Sequence, residues 1–413
     1  MPKRTSIKVD DVPYQYKNRK LQIGKSYTSP DFSSHTVLTD DIFTYIDFYF
    51  SSHKKAMKYR NPTVSKIKYG DEKKYHYSFY WKQAMSFYKA AKTLPMESVP
   101  LVSYYSMLNA VKAFLAFKCD YIEDFVEHFS RHGLFENTAI SGNELSTIHV
   151  GHQNKGVFVL FGRMLEQNFD TIWAGGKPNT VTLKKLLYNL AFIHRAYITT
   201  YNTPRGARVP ELFIPVKTAQ APCYYKGNDS NLYLKFEVDH SLFGVAPVSI
   251  PVVYVNSISS KFKISDDNNF VLQSVNGAKR NQDSLSSGML YSIPDENNKA
   301  KRNQDSLSSE FKNENDELRR EFQYIRSSKK LWYLKRTALN HPEVMNLNSM
   351  LIIMAAMHRV SEIVRYKPEQ MAHLLNSKEN WLLHEFLTLA LDQFIDELAA
   401  EITGQDIMCT GVK

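Results

Sequence analysis

A mainly α fold, with a helical-bundle body and a small inserted β-sheet (α+β overall), is predicted by three features of this 413-residue chain. Segments on both sides of the middle repeat apolar residues at spacings of three and four, the mark of a buried helix face. From Glu211 to about residue 275 the pattern changes to short β-like runs bounded by Pro, Gly, Asn and Asp. A polar stretch poor in large apolar groups then separates these runs from the last helices.

Taken in order, residues 1–79 read as a basic arm carrying one short packed element, the apolar segment DIFTYIDFYF from Asp41. Residues 80–210 form a first helical block. Trp81, Met85 and Tyr88 mark one helix face, and Leu94 and Pro95 end that helix. Pro100 opens the next, whose stripe is Tyr104, Leu108, Val111 and Leu115. The short connection predicts an antiparallel hairpin. A polar loop, HGLFENTAISG, precedes a short helix in GVFVLFGRMLEQN, and VTLKKLLYNLAFIHRAYI reads as one further helix. The insertion, 211–275, contains ELFIPV, NLYLKFEV, VSIPVVYV, KFKI and FVLQSV; Pro215 and Pro251 predict edge strands.

Residues 276–317 hold an exact duplication, AKRNQDSLSS at 278–287 and again at 300–309. Two copies do not make a solenoid, and Lys, Arg, Asn, Gln, Asp and Ser cannot build a core, so a mobile surface loop is expected. The block 318–413 is expected to pack on the first. ENDELRREFQYIRSSKKLWYL reads as a charged helix leading into a long apolar one ending HRVSEIVRYKP. The last helix has N-terminal signals at Ser377 and Glu379 and a stop at Gly404.

Composition narrows the functional classes. The net charge of +10 favours a polyanionic partner such as RNA without specifying one. The longest purely apolar run, Met350–Met357, is far shorter than the roughly 20 residues that span a bilayer, so no membrane segment is expected. No apolar run follows the basic N-terminus, and three well-separated cysteines suit a reducing compartment; a cytoplasmic protein is expected. Phosphate loops, dinucleotide fingerprints and nucleophile elbows do not occur, and no cofactor is predicted. His149 and His152 resemble half a metal site, with no carboxylate or Cys cluster beside them; no metal is predicted.

The blocks PLVSYYSMLNAVKAFL, HGL with GVFVLFGRML, PELFIPV and HRVSEIVRYKP resemble, in this order, the YaaC-like family of bacterial proteins. That resemblance covers most of the chain from about Trp81 to Gly404. It implies a helical fold with an inserted sheet and carries no activity with it. The SYYSMLNAVKAFL helix is also similar to the first helices of HEPN-type domains, many of which are ribonucleases of defence and toxin systems. Their signature, Arg, four to six residues and then His near the start of a late helix, is matched by Arg336 and His341. In that resemblance the Arg holds the scissile phosphate and the His moves protons, with a homodimer completing the cleft.

Other candidates come from the pattern of the residues. His358, Glu362 and Arg365 share one face of the long apolar helix, and Arg359 can pair with Glu362. Tyr105, Asn109 and Lys112 form a polar stripe that can face it, giving a polar pocket in an apolar bundle. The alternative for all of these is an ion-pair network between helices. The expectation is therefore an RNA-binding, metal-independent endoribonuclease acting in phage defence. Its alternative is a non-enzymatic interaction or regulatory protein.

Overall fold

The computed structural model describes residues 8–411 apart from 17–18, 28–35, 61–72, 119–124, 137–141, 168–179, 203–207, 218–220, 229–231, 240–256, 259–261, 265–269, 274–317 and 330. The duplicated decapeptide and the expected VSIPVVYV strand lie outside the described residues.

The helices are α1 (Ile42–Arg60), α2 (Lys73–Ala91), α3 (Val99–Lys118), α4 (Phe125–Ser130), α5 (Val157–Met164), α6 (Leu183–Tyr188), α7 (His194–Tyr201), α8 (Ser349–Tyr366), α9 (Pro368–Leu375) and α10 (Asn380–Thr403). The α2–α3 hairpin packs on α8 and α10, with α1 against α10 and α5 against α3 and α8. α8 is buried almost all round from Ser349 to Ser361, as its continuous apolar run requires, and α3 is nearly so. Asn348 caps α8 by accepting the Met350 amide, and Gly404, at φ 74°, ends α10 in the left-handed conformation open to glycine. The expected single helix over 181–198 is instead α6, a 3-10 turn at Ala191–Ile193 and α7. At the break, Asn189 is buried and donates to the Lys185 and Glu343 carbonyls.

The inserted sheet has the order β10 (Phe262–Ile264), β11 (Phe270–Gln273), β9 (Leu232–Val238), β7 (Phe213–Lys217), β13 (Leu331–Lys335), β12 (Phe322–Ile325), all antiparallel, with β8 (Cys223–Lys226) also on β9. Two expectations are overturned here. The segment read as a charged helix forms the β12–β13 hairpin, because Phe322 and Tyr324, and Trp332 and Leu334, recur at period two and fill the sheet's own core. Pro215 lies on an interior strand. Its carbonyl accepts the Asp239 amide at the end of the β7–β9 ladder, so its missing N–H falls where pairing stops.

Leu21 and Ile23 of the N-terminal arm join the sheet core, which is distinct from the helical core. Between the two cores runs a buried polar seam. Lys25 Nζ lies 3.4 Å from both Asp396 and Asp406, Tyr324 donates to Asp396, and Ser26 and the Tyr27 amide donate to Glu401. A three-stranded sheet of β4 (Leu134–Phe135), β5 (His149–His152) and β6 (Thr180–Thr182) lies beside α8. Among the described residues no helix is long and apolar enough to cross a membrane.

Candidate functional site

α3 and α8 are apolar where they cross the core, and polar at the end where Tyr104 and Tyr105 of α3 meet the last two turns of α8. The loop between α4 and β4 closes that end. A cavity of about 410 Å³ opens there, lined by Tyr104 from α3, by Arg131 and His132 from the loop, by Leu134 of β4, and by Gln153. Its remaining wall is His358, Ser361, Glu362, Arg365 and Tyr366 of α8. The i, i+4, i+7 spacing of His358, Glu362 and Arg365 puts all three on this wall.

Three rings make the floor. His358 lies 4.8 Å from Tyr104 and 5.5 Å from His132, centroid to centroid, and Tyr104 lies 5.3 Å from His132. Two polar atoms of the floor have no hydrogen-bond partner among the described residues: the Tyr104 hydroxyl and His358 Nδ1, on residues that are 1% and 3% exposed. Glu362 Oε2 lies 3.7 Å from His358 Nδ1, too long for a hydrogen bond. Buried polar atoms normally have partners, so these two are exceptions, and both side chains line the cavity.

Burial sets the protonation of the floor. Desolvation, then the charges of His132, Arg359 and Arg365, pushes His358 down to about 3, so its imidazole is neutral across the physiological range. His132 is held below the usual histidine range by burial, Lys112 and Arg365. Burial raises the Glu362 carboxyl above the ordinary range against the opposing Arg359 charge, and raises the Tyr104 phenol well above 10.

The rim is cationic and aromatic. Arg365 donates to the Tyr105 hydroxyl at 2.7 Å and to that of Tyr366 at 3.3 Å, and its guanidinium lies over both rings. Arg131 pairs with Glu127 at 3.3 Å while more than half exposed.

The other sequence candidates fall elsewhere. Arg359 is buried and turns from the cavity to Glu136, at 2.5 Å, with Glu362 at 3.4 Å; Lys367 joins the same Glu136. Asn109 donates to the Tyr105 carbonyl within its own helix, and Lys112 lies over the Tyr80 and Phe129 rings. Arg336 is 2% exposed, and its guanidinium donates to Ser257 and to the Glu211 carbonyl. His341 sits 5.2 Å from the Tyr188 ring, accepting the Glu343 amide. Neither Arg336 nor His341 lines the cavity. His149 faces Thr180, and among the described residues no group of three His, Cys, Asp or Glu side chains could hold a metal ion.

Sequence reasoning missed Arg131, His132, Gln153 and Tyr366, and counted Tyr104 as core only. The available signal was the HGL triplet: a histidine followed by a glycine, in a loop returning to a buried strand. The family model described as YaaC-like Protein matches residues 47–402. No curated protein and no solved structure matches the chain.

Proposed function

The chain belongs to the YaaC-like family, and for this member we propose that the cavity at the α3–α8 crossing binds a phosphodiester and that the protein binds and cleaves RNA there. The observation that carries this reading is the grouping, around one cavity, of two arginines with His132, Glu362 and Tyr104, whose hydroxyl has no partner among the described residues. A guanidinium matches phosphate geometry, and Arg131 and Arg365 stand at the rim where an anion would enter. The basic balance of the chain suits a polyanion.

The chemistry needs only proton transfers. Neutral His132 takes the proton of a ribose 2′-hydroxyl as O2′ bonds to phosphorus. The P–O5′ bond breaks, and the leaving oxygen takes the proton of Glu362, whose carboxyl burial favours. The products are a 2′,3′-cyclic phosphate and a 5′-hydroxyl. The Tyr104 hydroxyl donates to a phosphate oxygen as charge develops on it. The Arg336–His341 pair has no part in this reading, because Ser257 and the Glu211 carbonyl already engage the Arg336 guanidinium.

Incubating the purified protein with end-labelled single-stranded RNA in EDTA tests the proposal. Cleavage with cyclic-phosphate ends is expected, falling 10²–10⁴-fold in His132→Ala, the usual range for loss of a general acid or base. Arg365→Ala is expected to weaken binding and to flatten its salt dependence. Absence of both binding and cleavage overturns the reading. Binding without cleavage at any pH leaves a non-enzymatic RNA-binding protein.

A further inference from the structure

The His132 loop is built by an unusual contact. Gly133 has φ 85° and Gly156 has φ 133°, conformations that side chains rarely adopt. The two glycines touch: a Cβ on Gly156 would stand 2.4 Å from the Gly133 Cα and amide nitrogen, and 2.9 Å from the His132 carbonyl carbon. Only bare backbone fits between these segments. Around the contact, the first amides of α5 donate back to the loop, Val157 N to the Arg131 carbonyl and Phe158 N to the His132 carbonyl, both at 3.0 Å. The Gln153 amide donates to the Gly133 carbonyl at 2.9 Å.

One side chain completes the arrangement. His128, buried on α4, accepts the Gly156 amide on Nδ1 at 2.9 Å. That bond holds the Gly156 turn against Gly133, and Glu127, the neighbour of His128, holds Lys155 at 2.6 Å and Arg131 at 3.3 Å. Two residues of one short helix therefore tie down both sides of the loop that presents Arg131 and His132 to the cavity.

We infer that His128, acting through the Gly133–Gly156 contact, is the positioning residue that holds the His132 imidazole in the cavity. The inference rests on the reading of His132 as the group that moves protons there. The carbonyls of residues 131–133 are all bonded to the 153–158 segment, so a shift of Gly156 shifts the His132 backbone with it. The ring would then leave the groups that face it: Lys112 of α3, Arg365 and Glu362 of α8, and Arg131 of its own loop.

The test needs no substrate. The imidazole C–H signal of His132, assigned by its loss in His132→Asn, is titrated by NMR in the intact protein. In the native sequence it titrates below the ordinary 6.5. In His128→Ala it is expected to rise towards 6.5 as the ring moves into water. In His128→Asn, whose Oδ1 can accept the Gly156 amide, it is expected to stay low. The His358 titration, set by burial on α8, is expected to stay low in both. If His128→Ala fails to fold, His128→Phe, which keeps a ring in the buried site and cannot accept the Gly156 amide, is expected to raise the His132 titration in its place.

An unchanged His132 titration in a folded His128→Ala protein overturns the inference, as does an equal rise in the Ala and Asn variants. The outcome is independent of the RNA assay. A protein that cleaves no RNA can still show His132 held by His128, and a failed titration leaves RNA cleavage to be judged by its own products.

Discussion

At the scale of single residues, the cavity depends on a histidine kept neutral by burial. His358 is 3% exposed and its folded-state pKa is pushed down to about 3 from 6.5. Between those values the unfolded chain binds a proton that the folded chain refuses. The stability due to neutral His358 is therefore complete above about pH 6.5 and is lost as the pH falls towards 3. His358→Gln removes this dependence. Urea unfolding at a series of pH values is expected to show the native protein weakening more steeply than the variant, by up to about 1.4 kcal/mol per pH unit. Glu362, with its raised pKa, has the opposite sign, gaining stability as pH falls, and the comparison of the two proteins isolates the histidine. Parallel curves would show that His358 carries no such term. The sequence placed His358, Glu362 and Arg365 on one helix face because spacing alone decides that. It was silent on His132, since a loop residue has no period, and its position depends on two glycines that meet from distant segments.

At the scale of elements, the helices are held by aromatic contacts that cross between them. Phe114 of α3 meets Phe161 of α5 at 5.7 Å, and Phe161 meets Phe394 of α10 at 6.2 Å, all three fully buried. Phe161→Ala is expected to cost about 3–5 kcal/mol, read by chemical denaturation, because a large buried ring leaves a cavity that its neighbours only partly fill. A loss under 1 kcal/mol would mean that α5 is not part of the cooperative core. The α2–α3 hairpin, α8 and α10 were legible because their periodicity and stop signals agree with their burial. The β12–β13 hairpin was misread because Arg319, Arg320, Lys329 and their neighbours look like a solvated helix face. The alternating Phe322, Tyr324, Trp332 and Leu334 gain more by filling the sheet core than the segment gains as a charged helix.

At the scale of the whole molecule, the helical body and the sheet meet across the charged seam around Lys25. Lys25 is buried with Asp396 and Asp406 and donates to the Ile407 carbonyl, so the arm, α10 and the short C-terminal strand Ile407–Met408 share one cation. Lys25→Met leaves two buried carboxylates without it and is expected to cost about 3–5 kcal/mol. The arm is also expected to become open to limited proteolysis. Adding Asp396→Leu should recover part of the loss; no recovery would mean the two charges are not coupled. The amino-acid sequence by itself determined the mainly α class, the inserted sheet, the hairpin and the α8 stripe, because these follow from local periodicity and capping. Only the tertiary structure decided that Arg359 turns away to Glu136, that Ser257 and Glu211 hold Arg336, and that His132 joins His358 over Tyr104. Each of these depends on groups far apart in the chain, and what a charged side chain does is set by the partner that folding brings to it.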